Sequence, residues 1–129
     1  MRKSVTVAFP YSIDPSRRVA SVTVSGRVHG YDIAAAIETL YADPRWHAGF
    51  DIVWDATTIC ELLFEKQDIP GFVQLQRKHA AAAPRREVII TRRLIDRTMA
   101  QIYALMMKAG GHEVRACESN EEAYAWLEK

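Results

Sequence analysis

The sequence is short of three things, and each shortage removes a class of function. It has almost no net charge: seventeen Lys and Arg against sixteen Asp and Glu leave +1 over 129 residues. That balance exerts no long-range pull on DNA, RNA or an anionic membrane, so nucleic acid is not expected among the partners. It has two cysteines, Cys60 and Cys117, in no CxxC or mixed Cys/His spacing, and four dispersed histidines with neither HExxH nor HxH spacing. No metal is expected. It lacks a long apolar run: "MRKSVTVAFPYSIDPSRR" opens with two charges but continues into neither a signal peptide nor a membrane anchor. The expectation is a cytoplasmic protein with no integral membrane segment, in which both thiols are reduced, buried and structural. GxGxxG, GxxxxGK[ST] and GxSxG are also missing, and "KAGGHE" reads as a helix terminator rather than a phosphate loop. No cofactor is expected, and an enzyme is not the leading expectation.

What is present is the profile of one globular domain, 49% hydrophobic and 26% charged, long enough to bury a core without disulfides or metal. "VTVAFPYSI" (5–13) and "RVASVTVSGRV" (18–28) are rich in Val and Thr, with turn residues "DPSRR" between them, and read as an antiparallel hairpin. "YDIAAAIETLYAD" places Ile33, Ile37, Leu40 and Tyr41 at helical spacing, has Asp32 at the positive end of the helix dipole, and stops at Asp43-Pro44. "FDIVWDATTI" (50–59) is apolar without alternation, as a strand covered on both faces should be, until it ends in Asp55, Ala56, Thr57 and Thr58. "DIPGFVQLQRKHAAAA" is a second helix, with Pro70 in its first turn and Phe72, Leu75 and His79 or Ala80 on one side. "REVIIT" (86–91) is another buried strand.

"LIDRTMAQIYALMMKAGG" is a third helix, with a core stripe of Ile95, Met99, Ile102 and Met106 and a stop at Gly110-Gly111. "HEVRAC" is a short last strand. In "SNEEAYAWLEK", Ser119 and Glu122 have capping-box spacing, and Ala123, Trp126 and Leu127 would face the sheet. The order ββαβαβαβα implies an α/β fold: a mixed, mainly parallel five-stranded sheet with flanking helices and an antiparallel strand at one edge.

"ADPRWHAGFDIVWDATTI", "LIDRTMAQIYALM" and "ESNEEAYAWLEK" resemble the successive landmarks of small bacterial STAS-like proteins, the anti-sigma-factor-antagonist-like fold related in shape to CRAL-TRIO lipid-transfer domains. The resemblance runs from about Ser12 to the C-terminus. It implies an interaction or regulatory module without a known reaction. Phospho-regulated members carry Asp-Ser-Ser-Gly at the start of the helix after the central strand, and the matching place here is Asp68-Ile69-Pro70-Gly71. Neither Ile69 nor Pro70 can accept a phosphoryl group, so the serine switch is absent; with the loop in another register, Thr57 or Thr58 would substitute.

Asp55, Thr57 and Thr58 belong to the carboxyl end of a strand, where open α/β sheets place ligand crevices. Arg92 and Arg93 follow the next strand and precede a helix N-terminus, a plausible anion site. These five residues form the candidate ligand- or partner-binding rim. The competing reading pairs Asp55 with Arg92 or Arg93 and leaves the threonines to their own loop. The Ala80–Ala83 surface and the Met-rich third helix suit a protein partner, with a homodimer favoured.

The leading expectation is therefore a non-enzymatic protein-interaction or regulatory module. The alternative is a carrier of a small lipid-like or anionic ligand, with its pocket between sheet and helices. A third reading is an enzyme using Asp55 and the two arginines. A deep pocket lined by Trp54, Phe64 and Phe72 would favour the carrier; a filled core with a flat apolar face would favour the module. A strongly perturbed Asp55 inside a cleft would favour the enzyme.

Overall fold

Val and Ile cluster in short runs separated by Pro, Gly and Asp, and these runs become five strands interleaved with helices. The computed structural model describes residues 9–129. Its elements are β1 (Tyr11–Asp14), β2 (Val19–Val28), α1 (Gly30–Ala42), β3 (Asp51–Leu62), α2 (Ile69–Lys78), β4 (Arg86–Ile90), α3 (Leu94–Ala109), β5 (Glu113–Cys117) and α4 (Asn120–Leu127). Short 3-10 turns, Lys66–Asp68 and Ala80–Ala82, flank α2. Residues 5–8 of the expected first strand lie outside the described residues.

The sheet order is β1-β2-β3-β4-β5, with β1 antiparallel to β2 and every other neighbour parallel. Because spatial order follows chain order, the three right-handed crossovers all fall on one face, so α1, α2 and α3 share it. That front face buries Val22, Val24, Ile37, Leu40, Ile52 and Trp54 in one core. Among the described residues the other face is covered by α4 alone, through a smaller core that includes Val53, Val88, Ile90, Cys117, Ala123 and Leu127. α4 reaches β2 only at its start, where Val19 joins this core and the Ser21 and Tyr124 hydroxyls lie 3.2 Å apart; beyond it β2 alternates Val22 and Val24 on the front with Thr23 and Ser25 on the back.

Local signals set the ends of the helices. Asp32 Oδ2 accepts the His29 N–H at 2.9 Å and closes the first turn of α1. Ser119 Oγ accepts the Glu122 N–H at 3.1 Å to cap α4. Gly111, at φ +87°, takes the left-handed position after α3 that a side chain would strain. Arg85 fastens α4 to the sheet, bonding both Asp51 oxygens, at 3.0 and 2.8 Å, and the Leu127 carbonyl.

Four expectations are corrected. β3 does not end at Thr58 but runs on to Leu62, because β2 is long enough to keep pairing with it. The second helix stops at Lys78, and the alanines after it form a 3-10 turn whose Ala82 carbonyl accepts the Trp46 indole N–H at 2.9 Å. The third helix is rotated by one residue: Asp96, Ala100 and Met107 are buried, whereas Ile95 is 51% exposed. A helix with apolar residues around more than one stripe has no unique phase from periodicity alone. Cys60 is likewise exposed rather than buried; Cys117 is buried, and both thiols are free.

The rotated phase of α3 makes a prediction. Met107→Ala should lower unfolding free energy by about 2–5 kcal/mol. Ile95→Ala should fall within about 0.5 kcal/mol of the parent. Urea denaturation of the two variants decides which stripe carries the core.

Candidate functional site

The site begins with a defect in β3. Thr23 pairs with Asp55 and Ser25 with Thr58, so β3 spends one more residue than β2 across this step. A second such step lies between Gly26 and Arg27. Trp54 and Ala56 face α1–α3; after the extra residue it is odd-numbered Ile59 that does so. The bulge thus lets the distal half of β3 keep an apolar front. Asp55 supports it from the other side of the strand: its Oδ1 accepts the Thr57 N–H at 3.0 Å and the Thr57 hydroxyl at 2.6 Å.

In front of the bulged strand, under the three helices, lies a cavity of about 110 Å³. Its floor is Trp54, Ala56, Ile59 and Ile89 of the sheet. Its walls include Ile33 and Ile37 of α1, Phe72 of α2, and Met99 and Ala100 of α3. Phe64, in the connection after β3, meets Phe72 edge-on at 5.2 Å between centroids. Ile69, at the start of α2, completes the wall.

The polar side chains in the wall are already engaged. Asp96 receives two bonds from the Arg93 guanidinium, at 2.8 and 2.9 Å. The Thr91 hydroxyl lies 3.5 Å from the Cys117 carbonyl. Tyr103 turns its hydroxyl to Glu87, 3.1 and 3.3 Å from the two carboxyl oxygens. The remaining surface is hydrocarbon and aromatic, a lining that selects for uncharged apolar groups.

Beside the floor, on the same face of the sheet and two residues before Ile89, sits Glu87 of β4, 1% exposed. The Trp54 indole N–H donates to its Oε1 at 2.9 Å, and Gln76 Nε2 lies 3.5 Å from the same atom. Gln76 also donates to the Tyr103 hydroxyl at 3.0 Å and accepts from the Tyr41 hydroxyl at 2.6 Å. One residue from each front helix is thereby tied to one strand position. Burial pushes the Glu87 carboxyl up to about 7, against the hydrogen bonds from Trp54 and Tyr103 that favour its ionised form. Burial, with Glu87 nearby, also raises the Tyr41 and Tyr103 hydroxyls.

The five residues singled out from sequence are not assembled around this cavity. Trp54 and Ala56 line it, so alternation turns Asp55 and Thr57 to the opposite side of the strand. Thr58 and Arg92 are exposed. Arg93 serves Asp96 and the Cys60 carbonyl, which it reaches at 2.6 Å; among the described residues no ion pair joins it or Arg92 to Asp55. Asp68-Ile69-Pro70-Gly71 does open the helix after β3, with Asp68 Oδ2 accepting the Glu65 N–H at 2.8 Å and Ile69 buried in the cavity wall. Trp54, Phe64 and Phe72, named from sequence as the mark of a pocket, all line the cavity. Glu87, Gln76 and Tyr103 were missed as a group. The available signal was a carboxylate inside the Val/Ile run "REVII". No group of three or more His, Cys, Asp or Glu is arranged to hold a metal among the described residues.

Compared with solved structures, the chain superposes with a TM-score of 0.62 on a crystal structure from Shewanella loihica PV-4, an uncharacterised protein of the DUF3478 family with a SpoIIAA-like fold. The fold is SpoIIAA-like. The superposition covers 98% of this chain and 99% of the other at 15% identity, so the STAS-type architecture expected from sequence is shown across nearly the whole length. No protein-family model and no curated protein matches the chain. No helix in this SpoIIAA-like domain, among the described residues, is long and apolar enough to cross a membrane.

The buried carboxyl gives the SpoIIAA-like domain a definite pH response. An acid whose folded-state pKa is raised binds more protons folded than unfolded, so its contribution is fully present below the unfolded value and is lost as pH rises toward about 7. The loss amounts to about 3 kcal/mol between the two limits. Glu87→Gln should abolish this downward slope and be the more stable form above neutrality. Urea denaturation of both proteins from about pH 4 to about pH 9 measures it.

Proposed function

We propose that the protein binds a small, uncharged, apolar ligand in the cavity between β3, β4 and the three front helices, and acts as its carrier or sensor. The observation that carries this reading is the wall itself: hydrocarbon and aromatic surface whose polar side chains already have partners inside the protein. An ionised or strongly hydrogen-bonding ligand would find nothing free to pair with and would lose its hydration. The volume, about 110 Å³, fits an aromatic ring or the end of a short chain; an engineered apolar cavity of about 150 Å³ takes up benzene. With Ile69 and Pro70 where the phospho-regulated relatives have serines, the site lacks the serine switch, and ligand occupancy takes the place of phosphate as the signal.

A second reading, a protein-interaction module, has its own support in α3. Leu94, Ile95 and Leu105 are 73%, 51% and 71% exposed on a helix whose opposite side forms the cavity wall. Such a face suits a protein partner, including a second copy of the chain. The two readings are compatible, since α3 would then both sense the ligand and present the contact.

Adding benzene should raise the melting temperature of the parent protein, as any ligand that binds only the folded state does. In Ala100→Leu, whose added carbons occupy the cavity, melting should no longer respond to benzene. An equal response in both proteins would place binding elsewhere and overturn the reading.

A further inference from the structure

The wall of the cavity and the buried carboxyl are built from the same side chains. Trp54 and Tyr103 line the cavity, and their N–H and O–H are the closest donors to Glu87. A ligand touching these rings therefore sits one side chain away from a carboxyl that has no lysine or arginine bonded to it among the described residues.

We propose that the cavity is a proton-linked site, in which a neutral apolar ligand and a proton on Glu87 favour each other's binding. The proposal rests on the cavity reading above and deepens it by adding how the site is regulated. The physical cause is solvation. An ionised Glu87 relies on its donors and on whatever polarisable medium fills the space beyond Trp54 and Tyr103. The cavity is partly open to solvent, so hydrocarbon entering it displaces water, which lowers the local dielectric and makes the charged form more costly while leaving the neutral form almost untouched. Linkage is reciprocal: if occupancy favours the proton, the proton favours occupancy by the same factor.

The groups surrounding Glu87 leave it as the one that titrates. From α3 it faces Tyr103, and through Gln76 of α2 it reaches Tyr41 of α1; both phenols are pushed further from ionisation by burial and by Glu87 itself. From β3 it faces the indole of Trp54 and pairs in register with Ile52; from β5 its register partner is Val114. His79, at the end of α2, lies beyond Tyr41, 5.7 Å away between ring centroids, with Glu38 3.9 Å from its Nε2. Because Glu87 lies near neutrality, the linkage operates in the range where a cell's own pH varies.

The Trp54 indole N–H resonance reads both events, since the proton that bonds Glu87 belongs to a ring in the cavity wall. Benzene is titrated into the full-length protein at about pH 5.5 and about pH 8.5, and calorimetry in two buffers of different ionisation heat counts protons taken up. Affinity should be about tenfold weaker at the higher pH, with net proton uptake near neutrality. Glu87→Gln should bind with no pH dependence and no proton uptake, an outcome that a merely structural role for Glu87 would not produce. Equal parent affinity at both pH values, without proton uptake, would overturn the linkage and leave the cavity reading standing. No saturable shift at either pH would overturn both.

Discussion

The handedness of the crossovers governs this structure. Chain order and strand order coincide from β1 to β5, so right-handed connections send α1, α2 and α3 to one face and leave α4 to cover the other. Unequal coverage follows. Among the described residues the front has three helices over a broad core, and the back has one short helix and polar positions on β2. The front is also where three convex cylinders meet a twisted sheet, and the cavity is the space their side chains leave unfilled. The bulge in β3 belongs to the same constraint. Without the extra residue the distal half of the strand would turn its apolar side away from the helices.

Element order and type were legible because each depended on local chemistry: Asp43-Pro44 ending α1, Ser119 capping α4, Gly111 ending α3, valines at alternate positions along β2. What could not be read depended on contacts distant in the chain. The pairing of β3 beyond Thr58 is set by the length of β2, not by the polar residues in β3 itself. The phase of α3 is set by which of several apolar stripes finds the sheet. The candidate rim of Asp55, Thr57, Thr58, Arg92 and Arg93 assumed that β3 leaves the sheet there; once the strand continues, Asp55 holds the bulge and Arg93 holds Asp96. Trp54, Phe64 and Phe72 could be associated from sequence because large apolar side chains after a central strand must pack between sheet and helices. Glu87 gave no comparable signal of its partners, which come from three other elements.

The start of α2 shows how a helix end can be committed to the interior. Ile69 is 1% exposed and belongs to the cavity wall, while Asp68 before it turns its carboxylate back to the Glu65 N–H. This helix start therefore supplies hydrocarbon to the core and presents no hydroxyl to solvent.

The chain of bonds Tyr41–Gln76–Glu87–Tyr103 has a kinetic consequence. It takes one side chain from each front helix and joins them at β4. Lifting any one helix strips a partner from a buried polar atom, so the cost of opening is shared by the whole layer and no helix swings out alone. Opening of the front layer would therefore be a collective fluctuation of all three helices rather than the fraying of one, and their buried amides would exchange with solvent at a common rate.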